Sequence, residues 1–182
     1  MAYPRIINKA CHLHDVWVSL TRAEIEYAME HGLRVRQDCI RRGHVNRLHN
    51  QDEPEWQQLL RMQEGYVCEA VVWKAGGVSP IGRLRAYNYN DGPPDVGSNI
   101  EVKQITEETH CLPLGLKIPG RRMVVGVVLL HGRGMAVGIY RIPGYYPCWM
   151  GRVERWERKP EYWTVPQQEL FPFPWIQHLV KD

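Results

Sequence analysis

The sequence lacks the features that mark several large protein classes. It has no apolar run long enough to span a bilayer: the longest, Met123 to Leu130, is far short of the ~20 residues a membrane helix needs, so a membrane function is excluded. Its five cysteines (Cys11, Cys39, Cys68, Cys111 and Cys148) are odd in number, scattered, and never spaced as Cys-x-x-Cys. This argues against a disulfide framework or a zinc ribbon and for reduced thiols. No secretory or lipidation signal is visible, so a cytoplasmic location is expected. Internal repeats, heptad seams and low-complexity tracts are also missing, which excludes solenoids and coiled coils. Nor is charge of one sign in excess, since 23 basic residues face 20 acidic ones. That balance permits a polyanionic partner without demanding one.

What is present suits one globular domain over 1–182, long enough for a real core and too short for two comfortable ones. Residues 1–19 form a leading segment. Its Cys11, His12, His14 and Asp15 invite a zinc reading, but no second ligand pair stands at a recognisable spacing, and a surface strand or loop suits the segment better. Thr21 to Glu24 is a capping box that predicts a helix, with Ile25, Ala28, Met29, Gly32, Arg36 and Ile40 on one face and Gly43 as its stop. Arg34, Arg41 and Arg42 lie on the other surface, where they could meet phosphates if they are more than a solvated face. Asp52 to Glu55 opens a second helix, with Trp56, Leu59, Leu60, Val67, Ala70, Val71 and Lys74 along a stripe and Gly76-Gly77 at its end. Glu69 lies on the flank of that stripe beside Met62, Tyr66 and Trp73. It either snorkels to water or serves a site.

Farther on, Ile81 to Tyr89 reads as a strand, and Asn90 to Pro93 as a turn in which Asp91 is a competing metal ligand. The stretch Pro94 to Gln104 reads as a hairpin. Gly97, Ser98 and Asn99 form the loop, Val96 pairs with Ile100, and Asp95 falls opposite Glu101 with Lys103 on the same face. Two facing carboxylates repel unless a cation sits between them, and hard oxygen ligands suit Mg²⁺ or Mn²⁺. The bland alternative is a solvated hairpin with a cross-strand ion pair.

At Pro94-Asp95 and Glu101-Val102-Lys103 the sequence resembles the PD-(D/E)xK nuclease superfamily, and Tyr162 to Leu170 resembles the closing segment of small phage and bacterial proteins of this type. Gly65 to Ala70 looks like the glutamate-bearing helix of that superfamily. The resemblance implies an α/β (α+β) fold with a restriction-endonuclease-like core, in which a central mixed sheet is flanked by two N-terminal helices. It further implies a metal-dependent nuclease acting on DNA rather than RNA. Asp95, Glu101, the Val102 carbonyl and Glu69 would hold Mg²⁺ or Mn²⁺, Lys103 would act beside them, and Gln104 could touch phosphate, if it is not simply edge-strand polarity. Thr106 to Pro119 has room for only a shortened crossover helix or none, a departure from the family pattern. A catalytically weak member that binds nucleic acid or a protein is the alternative, and an unrelated α/β fold with a chance motif is a third.

Met123 to Leu130 predicts a strand buried on both faces. Met135 to Ile142 predicts a partner closed by Pro143-Gly144, and Trp149 to Arg155 a further strand. The aromatic and proline-rich stretch 156–182 is expected to wrap back over the core. The alternative is that its aromatics, set among Arg152, Arg155, Arg158 and Lys159, stack on unpaired bases.

Overall fold

The computed structural model describes residues 15–43, 54–85, 93–105, 111–115, 122–129, 138–150, 154–155 and 162–181. Residues 11–14 of the zinc reading and residues 90–92 of the expected turn, Asp91 among them, lie outside these ranges. In chain order the elements are β1 (Val16–Ser19), α1 (Arg22–Arg41), α2 (Glu55–Ala75), β2 (Ile100–Ile105), β3 (Cys111–Gly115), β4 (Met123–Val128), β5 (Ile139–Pro147), β6 (Glu154–Arg155) and β7 (Tyr162–Pro166). A 3-10 segment, Phe173–Val180, follows. No helix among the described residues is long and apolar enough to cross a membrane.

Local chemistry accounts for the helices. Thr21 and Glu24 complete the capping box of α1, and Gly43 beyond its end takes φ +68°. Glu24 also reaches Lys74 at 2.7 Å, joining the start of α1 to the end of α2. Burial alone would raise the Glu24 carboxyl, but the Lys74 ammonium and the Thr21 donors outweigh it and hold the group below its ordinary range. The stripe on α2 is narrower than expected. Val67, Ala70 and Val71 are fully buried, whereas Trp56 is 66% exposed, because the first turn of α2 runs past the packed surface. Ile40, near the end of α1, is likewise 41% exposed rather than buried.

The strands form two sheets. The first is mixed, with order β1-β5-β4-β2: β2 and β4 run parallel, and the other pairs run antiparallel. The second has order β3-β7-β6 and is antiparallel. Two apolar clusters lie on opposite faces of the first sheet. On one face Ile100, Val102, Val125, Val127, Tyr140 and Ile142 pack with α1 and α2. On the other, Ile105, Val124, Val128 and Tyr146 pack with Leu112, Leu114 and Val165 of the second sheet. The chain is therefore of mixed α+β class with a mixed sheet. In the connection between the parallel strands β2 and β4, the described residues form a strand, β3, and no helix.

Three sequence expectations need correction. Ile81 to Arg85 forms no strand. Arg83 N–H bonds to the Pro80 carbonyl at 3.0 Å, and Gly82 takes φ +78°, so the chain turns where the pattern suggested extension. Likewise, β5 does not stop at Pro143-Gly144 but runs on to Pro147. Gly126 pairs with Gly144 and Val128 with Arg141, so the strand carries one extra residue there, a bulge that accommodates a proline with no N–H to donate. The bulge also switches which parity faces the helices: Tyr140 and Ile142 do so before it, Tyr145 after it. Finally, Trp149 to Arg155 is not one strand. Cys148–Met150 is a 3-10 turn, and of the described residues there only Glu154–Arg155 adds to the second sheet.

Candidate functional site

The hairpin forms with the pair its three-residue loop requires. Val96 and Ile100 exchange both backbone hydrogen bonds, at 3.1 and 3.2 Å. Gly97 in the loop takes φ +55°, and a Cβ there would lie 2.2 Å from the Leu179 carbonyl oxygen, so both backbone shape and space call for glycine.

The pairing then stops after one rung, for a chemical reason. The next hydrogen-bonded pair would be Pro94 with Val102, and Pro94 has no N–H. Instead, the Asp95 carboxylate accepts the Val102 N–H at 2.8 Å, and the Pro94 carbonyl accepts from the Arg85 guanidinium at 2.7 Å. Asp95 therefore sits on the edge of the first sheet, its side chain replacing a missing main-chain rung. One of its oxygens is so engaged, and the other takes no hydrogen bond among the described residues. Of the Asp95 and Glu101 carboxylates expected to face each other, Asp95 is engaged by the Val102 N–H and Glu101 by Arg122.

Glu101 has its own partners. It is registered beside Val124 of β4 and shares that residue's face, toward the second sheet. Buried to 8% exposure, it pairs with the Arg122 guanidinium through Oε1 and, at 3.7 Å, with the Lys103 ammonium through Oε2. Val102 and Gln104 point to the opposite face, toward α2, where Gln104 donates to Glu64 at 3.3 Å.

Glu69 approaches from that helical side. The residue keeps some exposure as a whole, yet its carboxyl is enclosed by protein. Burial and the neighbouring Asp95 carboxylate push it well above the ordinary range, and Lys103 and Arg85 offset this only in part. Because β2 is the outermost strand of its sheet, side chains from both faces meet around its edge. Glu69, Asp95, Lys103 and Arg85 form one electrostatic neighbourhood there. Among the described residues, no group of three or more His, Cys, Asp or Glu side chains is placed to hold a metal ion.

Two of the α1 arginines expected to meet phosphate are already paired on their own helix. Arg41 pairs with Asp38 at 2.5 Å on an exposed surface, Arg34 is similarly tied to Glu30, and Arg42 is the C-cap. Reading the sequence missed Arg122, Arg85 and Glu64. Arg122 carries one weak local signal, a cation placed immediately before the most apolar run of the chain, but nothing local says which carboxylate it meets. No family model, curated protein or solved structure matches this chain.

Proposed function

We propose that the protein is a metal-dependent nuclease of PD-(D/E)xK type, with a restriction-endonuclease-like core, hydrolysing phosphodiester bonds in DNA around the edge of β2. The observation that carries this reading is the crowding of Glu69 against Asp95. The enclosed Glu69 carboxyl, whose charge is opposed by burial first and by the neighbouring Asp95 carboxylate second, with Lys103 and Arg85 offsetting this only in part, marks a place that a cation stabilises. The donors fit a hard ion, since Asp95, Glu101, Glu69 and the Val102 carbonyl are all oxygen ligands. Mg²⁺ takes one or two carboxylates and keeps several waters, so a three-carboxylate cage is unnecessary. When bound, Mg²⁺ or Mn²⁺ would lower the pKa of a coordinated water and neutralise phosphate charge.

The residues of the chain divide the remaining work. Asp95 is oriented by the Val102 N–H, so its carboxylate is held before anything binds. Lys103, a third exposed, is the cation open to a phosphate as negative charge develops in the transition state. Arg85, tied to the Pro94 carbonyl, fixes the backbone that carries Asp95.

Cleavage assays on plasmid, linear and single-stranded DNA and on RNA, with Mg²⁺, Mn²⁺ or EDTA, test this reading. Divalent-dependent cleavage of DNA is expected. Asp95→Asn keeps an acceptor for the Val102 N–H and should fold normally, and with Lys103→Ala it should lose cleavage by roughly 100-fold or more. Undiminished cleavage by both variants would overturn the assignment.

A second reading, a nuclease-fold protein that binds nucleic acid or a protein partner with little or no catalysis, is favoured by one observation. Glu101 is already neutralised by Arg122 and Lys103 without any metal. Salt-sensitive DNA binding, with no heat of Mg²⁺ binding to either wild type or Asp95→Asn, would select it.

A further inference from the structure

Arg122 is the least expected member of the site. It immediately precedes β4 and shares a face with Val124, and Val124 is registered beside Glu101. The Arg122 side chain therefore stands diagonally across from the Glu101 carboxylate and pairs with it. Its backbone is held on two sides. The Arg122 carbonyl accepts the Cys148 N–H at 3.0 Å, and the next residue's N–H bonds to the Asn99 carbonyl of the hairpin loop, also at 3.0 Å. Both side chains are nearly enclosed, Arg122 at 15% and Glu101 at 10% exposure, whereas Lys103 is looser at 3.7 Å and 33%.

A buried carboxylate needs a compensating charge, and Arg122 supplies it from within the chain. A divalent ion approaching the same carboxylate meets a guanidinium already in place. Two cations drawn to one carboxylate repel each other strongly where water is scarce. We propose that Arg122 is a resident counter-ion of Glu101 that competes with the divalent metal for this carboxylate. It is a positioning residue: it compensates the Glu101 charge in the metal-free protein, and it sets how tightly the metal binds. This inference rests on the metal-site reading above.

The test is Mn²⁺ titration by calorimetry of the full chain without nucleic acid, comparing wild type, R122Q, E101Q and E101Q/R122Q. R122Q should bind Mn²⁺ roughly tenfold more tightly than wild type. The double variant should show no gain over E101Q, which a merely structural role for Arg122 does not predict. Wild type that binds Mn²⁺, with R122Q binding equally or less tightly, overturns this inference and leaves the metal site intact. An absence of Mn²⁺ binding in wild type and R122Q alike overturns the metal site and the inference together. Thermal melts check folding. If R122Q does not fold, R122K keeps the charge but loses the planar fork and takes its place, with a smaller gain of the same sign. Unchanged or weaker Mn²⁺ affinity in R122K then overturns the inference.

Discussion

Glu69 is a carboxyl whose ionisation the fold opposes, through burial first and the Asp95 charge second. The consequence for stability has a definite sign. With the folded-state pKa above the unfolded one, the native protein binds more protons between the two values. Stability therefore falls as pH rises from the ordinary carboxyl range through the folded value, at up to about 1.4 kcal/mol per pH unit, and the loss is complete above it. Glu69→Gln removes the group responsible. Denaturant titrations of the metal-free protein should show E69Q gaining on wild type as pH increases, with the two converging in acid. A constant difference across pH would place Glu69 in water. Glu24 works in the opposite sense: its contribution is present above the ordinary carboxyl range and is lost as pH falls through its lowered value.

At the scale of the element, the hairpin and the C-terminal 3-10 segment depend on each other at a single glycine. Gly97 combines a positive φ with a backbone oxygen where its Cβ would be. Gly77, with φ +78°, has open space around it. The pair separates the two effects. Gly77→Ala should cost about 1 kcal/mol for the left-handed backbone alone, while Gly97→Ala should cost at least ~2 kcal/mol because the Leu179 carbonyl must also retreat. Urea denaturation of both variants checks the comparison, and equal losses would show that the close approach contributes nothing. Gly76 faces the same segment, since a Cβ there would lie 2.2 Å from Val180 Cγ1. The C-terminal segment thus rests on both the hairpin loop and the end of α2.

At the scale of the whole molecule, the first sheet is covered on both faces, and the 3-10 segment completes the helical side. Phe173 and Val180 are fully buried and Ile176 nearly so, all in the same cluster as α2 and β2. Trp175, on the same segment, stays 63% exposed. Phe173→Ala should therefore destabilise the protein by about 3–5 kcal/mol in urea titrations, a large part of a typical domain's stability, while Trp175→Ala should change it little. A loss below 1 kcal/mol for Phe173→Ala would mean that the segment is not integral to the core.

What the sequence by itself determined is what short-range chemistry controls. The capping box at Thr21, the stop at Gly43, the end of α2 at Gly76, the Gly97–Asn99 loop and the apolar strand from Met123 all follow from residues within a few positions of one another. So does the nearness of Glu101 to Lys103, two residues apart on one face of β2. Patterns that depend on distant partners misled: Trp56 and Ile40 fit an apolar stripe but meet no core, and Pro143 marked a stop where a bulge carries the strand onward. Tertiary structure alone decided the electrical state of the site. The parallel register of β2 with β4 set Arg122 against Glu101, and the packing of α2 set Glu69 against Asp95. Neither contact has a local signature, because each joins segments brought together by sheet order and helix packing rather than by spacing along the chain. The acids and the lysine could be read from Pro94 to Gln104, but the arginine that neutralises Glu101 could not.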